Sequence, residues 1–139
     1  MKFSRIIPLI LTIATLALTI NLAVAAQKPE SAAAVPKYDR AAEATFKGTV
    51  EEVRDRQCPV SGGMGSHLIL RLSSGTTIEV HLATTKFVKT YDLLFKKGDV
   101  VQVVGVKVQF EGVETIFARE VSRDGSTFIF RGKDGMPVW

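Results

Sequence analysis

The residues that could perform chemistry are gathered around one short stretch, QCPVSGGMGSH. It holds the only cysteine of the sequence, Cys58, together with Met64 and His67, and His81 follows on a later segment. Thiolate, thioether and imidazole groups suit copper better than they suit zinc or magnesium. One interpretation is therefore a weak copper site formed by these four side chains.

Two other interpretations of the stretch stay open. Cys58 and His67 could act as nucleophile and base, which would also require an oxyanion hole and a third orienting group. The sequence shows neither of these, and SGGMGS lacks the Gly-Lys-Ser/Thr ending of a phosphate loop, so no catalytic residue is assigned. Alternatively, the stretch is a flexible hairpin loop and both histidines lie on the surface, titrating near a pKa of about 6.5.

The elements that position the histidines follow from alternating apolar residues. HLILRL and TIEVHLA, separated by the turn SSGT, predict a hairpin of two strands. Antiparallel partners share a face, so either short-loop register places His67 and His81 together on the outward face, at most about 7–8 Å apart. We expect the loop that carries Cys58 and Met64 to fold back over them. The inward set is Leu68, Leu70, Leu72, Ile78, Val80 and Leu82.

The rest of the chain predicts four more strands and one helix. Alternation predicts strands over residues 44–54, 99–109, 114–121 and 127–131. Apolar residues at helical spacing predict a helix of two to three turns over residues 84–95. Gly105, in the middle of a strand, indicates a bulge or bend of the kind that small barrels need.

This order of elements is that of the five-stranded OB barrel. The run FKKGDVVQVVGVKV looks like the start of the fourth strand in many OB-fold proteins. Residues 38–139 resemble small secreted bacterial OB-fold proteins, including the periplasmic bacterial OB-fold group. The resemblance implies an all-β, five-stranded OB-type barrel with one short helix between strands three and four, an extra C-terminal strand and a binding function.

The outward face of the hairpin is a candidate ligand surface, because OB barrels often bind oligonucleotides or sugars across strands two and three. Its candidate residues are Ile69, Arg71 and Glu79, and the last two are expected to form a cross-strand ion pair. With one arginine and no aromatic ring, the face lacks the basic groove and stacking platform of single-strand nucleic-acid binders. Nucleic acid is therefore not a favoured partner.

The N-terminus has the pattern of an export signal. Lys2 and Arg5 precede an uncharged segment that ends Ala23-Val24-Ala25, the small-x-small pattern of signal peptidase sites. We expect a signal peptide over 1–25, a flexible leader over 26–41 and a barrel domain over 42–139. The uncharged segment is also long enough to anchor the protein in a membrane if it is retained.

Composition and compartment limit the function. The 139 residues are 46% hydrophobic, which fits one small globular domain, and loss of Lys2 and Arg5 lowers the formal charge from +4 to +2. Export to the periplasm or the medium would remove ATP, nicotinamide cofactors and chromosomal DNA from the ligands. We expect a non-enzymatic binding or adaptor module for a protein partner or a small ligand. The alternative is the copper-binding protein, and the third possibility is oligonucleotide or sugar binding by the barrel face.

Overall fold

A computed structural model describes residues 34–139, so the predicted signal peptide and the first part of the leader lie outside the described residues. A 3-10 turn at Arg40–Ala42 precedes six strands and one helix. They are β1 (Glu43–Cys58), β2 (Gly63–Leu72), β3 (Thr77–Thr84), α1 (Thr85–Thr90), β4 (Val100–Phe110), β5 (Val113–Arg123) and β6 (Ser126–Ile129). In the described part of the chain, no helix has the length and apolar character needed to span a bilayer.

The strands form one sheet in the order β3-β2-β1-β4-β5-β6, in which these neighbours are antiparallel. A parallel pairing between β3 and β5 closes the first five strands into a barrel. The helix lies between β3 and β4 along the chain, and β6 extends the sheet beyond β5. The predicted all-β barrel with one helix and an additional C-terminal strand is confirmed.

Apolar side chains fill the barrel interior as the alternation predicts. Leu68 pairs with Val80 and Leu70 with Ile78, and all four side chains are buried. The predicted bulge is confirmed, because the β4–β5 register shifts beside Gly105. A Cβ atom at this glycine would collide with the backbone of β5, so the close approach of the two strands requires glycine.

The glycine-rich stretch before His67 is ordered, so the prediction of a flexible loop is wrong. β1 continues to Cys58, four residues beyond the predicted end, and pairs there with Gly63 at the start of β2. Only a 3-10 turn, Pro59–Ser61, and Gly62 in the left-handed conformation (φ 64°) separate the two strands. The ladder of β1 and β2 therefore continues to the turn itself.

The helix and the last strand are shorter than predicted. Thr84 caps α1 by accepting a hydrogen bond from the Phe87 amide at 3.2 Å, but the helix ends at Thr90, because Asp92 adopts a left-handed φ of 52°. β6 ends at Ile129, and we call residues 130–139 the C-terminal segment; its first two amides, of Phe130 and Arg131, still donate to the Arg119 carbonyl of β5. This segment forms an isolated bridge between Arg131 and Pro137.

Candidate metal centre

His67 and His81 lie directly opposite each other on β2 and β3, in the closer of the two predicted arrangements. Their ring centroids are 5.0 Å apart, with the rings nearly perpendicular at 74°. His81 also pairs with Phe117 on β5, so these three side chains share one face of the sheet. Because their strand neighbours point into the barrel, this is the outer face of the barrel wall.

The outer face is covered, so the interpretation that both histidines are solvated is wrong. His67 and His81 are each 1% exposed. The ring of Trp139, from the C-terminal segment, lies 5.7 Å from the His81 ring, and Phe117 lies at 5.8 Å. Burial lowers the pKa of His67 below its ordinary value of 6.5. Burial, helped by His67 and two nearby arginines, lowers the pKa of His81 to about 3.

Cys58 reaches the histidines by strand pairing, without the predicted folding back of a loop. Arg54 pairs with His67 across β1 and β2, and alternation along β1 places Cys58 on the same face, 2% exposed. One ligand atom from each of Cys58, His67 and His81 lies within 4.8 Å of the other two. Metal–ligand bonds of about 2.0–2.3 Å place ligand atoms about 3.5 Å apart. Small side-chain rotations would therefore bring all three ligand atoms within bonding distance of one ion. We call these three residues the Cys-His cluster.

The nitrogen atoms of the Cys-His cluster lack the partners that buried polar groups usually have. Both ring nitrogens of His67 and Nδ1 of His81 are buried without a hydrogen bond, whereas Nε2 of His81 lies 2.9 Å from Ser61 Oγ. Leaving such an atom unpaired costs about 1–3 kcal/mol, and native proteins contain few of them. A metal ion takes a lone pair from only one nitrogen of each ring, so one ion bound with the thiolate would satisfy at most two of these three atoms.

The structure does not bring Met64 to the Cys-His cluster. Met64 pairs with Gln57 on the other face of the β1–β2 ladder and is 44% exposed. Alternation along β2 therefore directs its thioether away from the face that holds Cys58. The described part of the chain thus assembles three of the four side chains that the sequence singled out.

Gly65 lies under the Cys-His cluster and was not singled out from the sequence. A Cβ atom at this position would lie 2.6 Å from Ser61 Oγ and 3.0 Å from both Cys58 Cβ and His67 Cε1. Glycine therefore leaves the space in which the thiol and the imidazole approach each other. Its position two residues before His67, on the same face of β2, is the sequence signal that could have found it.

Glu79 and Arg56 form a charged pair at the edge of the Cys-His cluster. Glu79 Oε1 lies 3.6 Å from Nε2 of His67. Arg56 donates to the same oxygen from Nε at 3.0 Å and from Nη2 at 2.8 Å. Its Nη1 also donates to Glu111 Oε2 at 2.9 Å, so the Arg56 charge is offset by two carboxylates.

Arg71 and Glu79, two of the candidate ligand-face residues, form ion pairs with residues other than each other. Glu79 pairs with Ile69 in the β2–β3 register, which leaves Arg71 opposite Thr77. Arg71 instead donates to Glu51 on β1 at 2.6 Å, so the predicted Arg71–Glu79 ion pair is wrong. The register, which the sequence left open, decides this pairing.

Comparison with known proteins supplies a family. A family model described as the MamS/MamX magnetosome protein family matches residues 42–128, which run from the start of the barrel to β6 and include the whole Cys-His cluster. The chain belongs to the MamS/MamX family. No curated protein matches the chain.

In this MamS/MamX protein, the C-terminal segment beyond the matched region adds a buried cation beside the cluster. Arg131 is 5% exposed and donates from Nη1 to the Gly135 carbonyl at 3.1 Å. Its Cζ lies 5.1 Å from the ring centroid of Trp139 and 5.6 Å from that of Phe117, the two rings that also contact His81. Among the described residues, no carboxylate forms an ion pair with it, and burial lowers the pKa of its guanidinium below the usual value.

Proposed function

We propose that this MamS/MamX protein is a non-enzymatic barrel module whose small ligand is a copper ion held by Cys58, His67 and His81. The observation that carries the proposal is the burial of these three side chains with their ligand atoms within 4.8 Å of one another. A thiolate and two imidazoles form a donor set that suits copper. Each imidazole would supply one lone pair to such an ion, and both rings have a buried nitrogen without a hydrogen bond.

We also propose that the barrel is of the OB type and works outside the cytoplasm, in the periplasm or the medium. The order of strands and helix and the closure of β3 against β5 support the OB assignment. The export pattern of residues 1–25 supports the location. The family description, which refers to magnetosome proteins, supports a bacterial setting.

A binding role fits the surroundings of Cys58 better than nucleophilic catalysis does. A catalytic thiolate must reach a substrate carbon, but this thiol belongs to a residue that is 2% exposed. A shallow open pocket lies beside it and would admit an ion to the Cys-His cluster. The pocket is lined by Gln57, Cys58, Pro59, Gly62, Gly63 and Glu111.

A second candidate function, docking of a protein partner, rests on an exposed groove near the C-terminus. The groove is lined by Thr84, Lys86, Phe87, Thr90, Tyr91 and Trp139. Tyr91 is 64% exposed and packs against Phe87 at 4.8 Å between ring centroids. Tyr91→Ser should weaken such docking and leave copper affinity unchanged, because Tyr91 does not belong to the Cys-His cluster.

The copper proposal is tested by the stoichiometry and affinity of Cu(I) binding under anaerobic, reducing conditions, using protein purified from cells that express the full chain. We expect one ion per chain, and a loss of affinity greater than about 100-fold in the double variant His67→Ala, His81→Ala, because two ligands are removed together. Met64→Leu is the matched control and should bind as the wild type does. Equal, weak binding by the wild type and the double variant would contradict the proposal.

A further inference from the structure

The charges around the Cys-His cluster are unevenly compensated. Arg56 bonds to two carboxylates, Glu79 and Glu111, at 2.8 and 2.9 Å. Arg131 is more deeply buried and has no carboxylate partner within the described residues. It is held by aromatic rings and one backbone carbonyl, so its positive charge is neither neutralised nor exposed to solvent.

Two rings fix this charge relative to the cluster. Phe117 and Trp139 each contact both the His81 imidazole and the Arg131 guanidinium, at centroid distances between 5.1 and 5.8 Å. Arg131 is not a metal ligand, since a guanidinium has no free lone pair to donate. It acts on a bound ion through its field, which is weakly screened where water is excluded.

The field of Arg131 discriminates between ions by their charge. Binding of an ion releases the proton of the Cys58 thiol to solvent, so a monovalent ion leaves the net charge of the site unchanged, whereas a divalent ion raises it by one. The Coulomb repulsion from Arg131 therefore acts on the divalent complex and is nearly cancelled in the monovalent one. A divalent ion such as Zn²⁺ would also seek a fourth ligand, and Glu79, whose Oε1 lies 3.6 Å from His67 Nε2, is already engaged by Arg56.

We propose that Arg131 is a charge-selectivity residue that makes the Cys-His cluster a site for a soft monovalent ion, Cu(I), and disfavours divalent ions. This inference rests on the proposed function, because it requires that the cluster binds metal. The inference specifies that the copper is Cu(I) and identifies Arg131 as the residue that favours this oxidation state. The C-terminal segment then shapes the site without contributing a ligand.

The test compares two redox-inert probes, Ag(I) as the monovalent ion and Zn(II) as the divalent ion, in full-chain protein with Arg131→Gln or Arg131→Lys. In Arg131→Gln the Ag(I) affinity should change little, whereas the Zn(II) affinity should rise by about 3–10-fold, because only the divalent ion adds a net positive charge that Arg131 repels. Arg131→Lys keeps the charge and should change the ratio of the two affinities little. Melting curves of each variant without metal show that the fold is retained.

If Arg131→Gln does not fold, Arg131→Met decides, since it removes the same charge and keeps an apolar side chain against Phe117 and Trp139; the same preferential gain for Zn(II) is expected. Equal gains for both ions, or no gain, would overturn the inference and leave the copper proposal standing. Failure of the wild-type protein to bind Ag(I) and Cu(I) at one ion per chain would overturn both.

Discussion

At the level of His67 and His81, the two faces of the β2–β3 hairpin are both buried, yet they are built from opposite kinds of side chain. Toward the barrel interior, Leu70 and Val80 are 0% exposed and belong to the apolar core. Toward the outside, His67 and His81 are 1% exposed and hold three unpaired nitrogens. Burial stabilises the first face and costs free energy on the second, which is why the second indicates a binding site.

The two faces also differ in what covers them. The interior is formed mainly by residues of the barrel strands, joined by Val88 of α1 and Phe130 of the C-terminal segment. The outer face is covered by Phe117 on β5 and by Trp139 of the C-terminal segment. Burial of this outer face therefore requires residues outside the five-stranded barrel. Here they belong to the C-terminal segment, which also contains Arg131.

The largest expected effect is a difference in the free energy of unfolding between substitutions on the two faces. Leu70→Ala should lower the free energy of unfolding by about 2–5 kcal/mol, because it leaves a cavity in the core. His67→Leu, a substitution of similar size on the other face, should be within about 1 kcal/mol of the wild type or more stable, because it removes two unpaired nitrogens. Denaturant unfolding of metal-free protein measures both values. An equally large loss in His67→Leu would show that the two faces do not differ in this way.

Copper should stabilise the protein through the outer face alone. At a free concentration 100 times its Kd, an ion that binds only the folded state adds about 2.7 kcal/mol. Leu70→Ala should keep this increment, whereas the double variant His67→Ala, His81→Ala should lose it. Thermal unfolding with and without Cu(I) measures the increment, and its persistence in the double variant would place the ion elsewhere.

Two glycines of β2 sharpen the comparison locally. Gly65→Ala should cost about 1–3 kcal/mol and weaken copper binding, since the new Cβ would crowd Cys58, Ser61 and His67. Gly63→Ala is the matched control, because a Cβ there meets no atom within 4 Å. Unfolding and copper titrations of the two variants should differ. The same response in both would mean that packing beneath the cluster is not limiting.

The last prediction concerns the pH dependence of stability in the metal-free protein. The pKa of each histidine is lower in the folded state than the unfolded value of 6.5. Below pH 6.5 the unfolded chain therefore takes up protons that the folded chain does not, so the free energy of unfolding decreases as the pH is lowered. For His81 the loss continues toward its folded pKa of about 3.

The contributions of the histidines and of the carboxylates to stability change over different pH ranges and can therefore be measured separately. The pKa of Glu43, lowered by its hydrogen bond from Arg119, lies below 4.5, so its contribution is lost only in more acidic solution. Unfolding measured between pH 6.5 and 4.5 should slope in the wild type and be flatter in His67→Leu, His81→Leu. A wild-type curve as flat as that of the double variant would mean that the histidines are not buried in neutral form.

The sequence predicted the fold well because the barrel depends on local alternation. Leu68, Leu70, Ile78 and Val80 define the inward face of the hairpin with no knowledge of the rest of the chain. The same alternation placed His67 and His81 on one outward face, in one of two permitted registers. Register, strand length near Cys58 and the end of the helix depend on pairings that local patterns do not encode.

The chemistry of the site was less accessible from the sequence. Alternation indicates which side chains face outward, but it does not indicate whether that outward face is exposed to solvent. Burial of the histidines depends on Trp139, which is 58 residues beyond His81 in the chain. The charge of Arg131 enters the site by the same long-range packing, and Met64 is excluded by strand parity that the loop prediction missed.

The most direct test of the central claim, that Cys58, His67 and His81 hold one ion together, is X-ray absorption at the copper edge of the Cu(I)-loaded protein. The account predicts one sulfur and two imidazole nitrogens bound to the metal, with the sulfur lost in Cys58→Ser and the imidazole signal reduced in His81→Ala. A copper ion bound only by nitrogen and oxygen, or a sulfur that persists in Cys58→Ser, would contradict it.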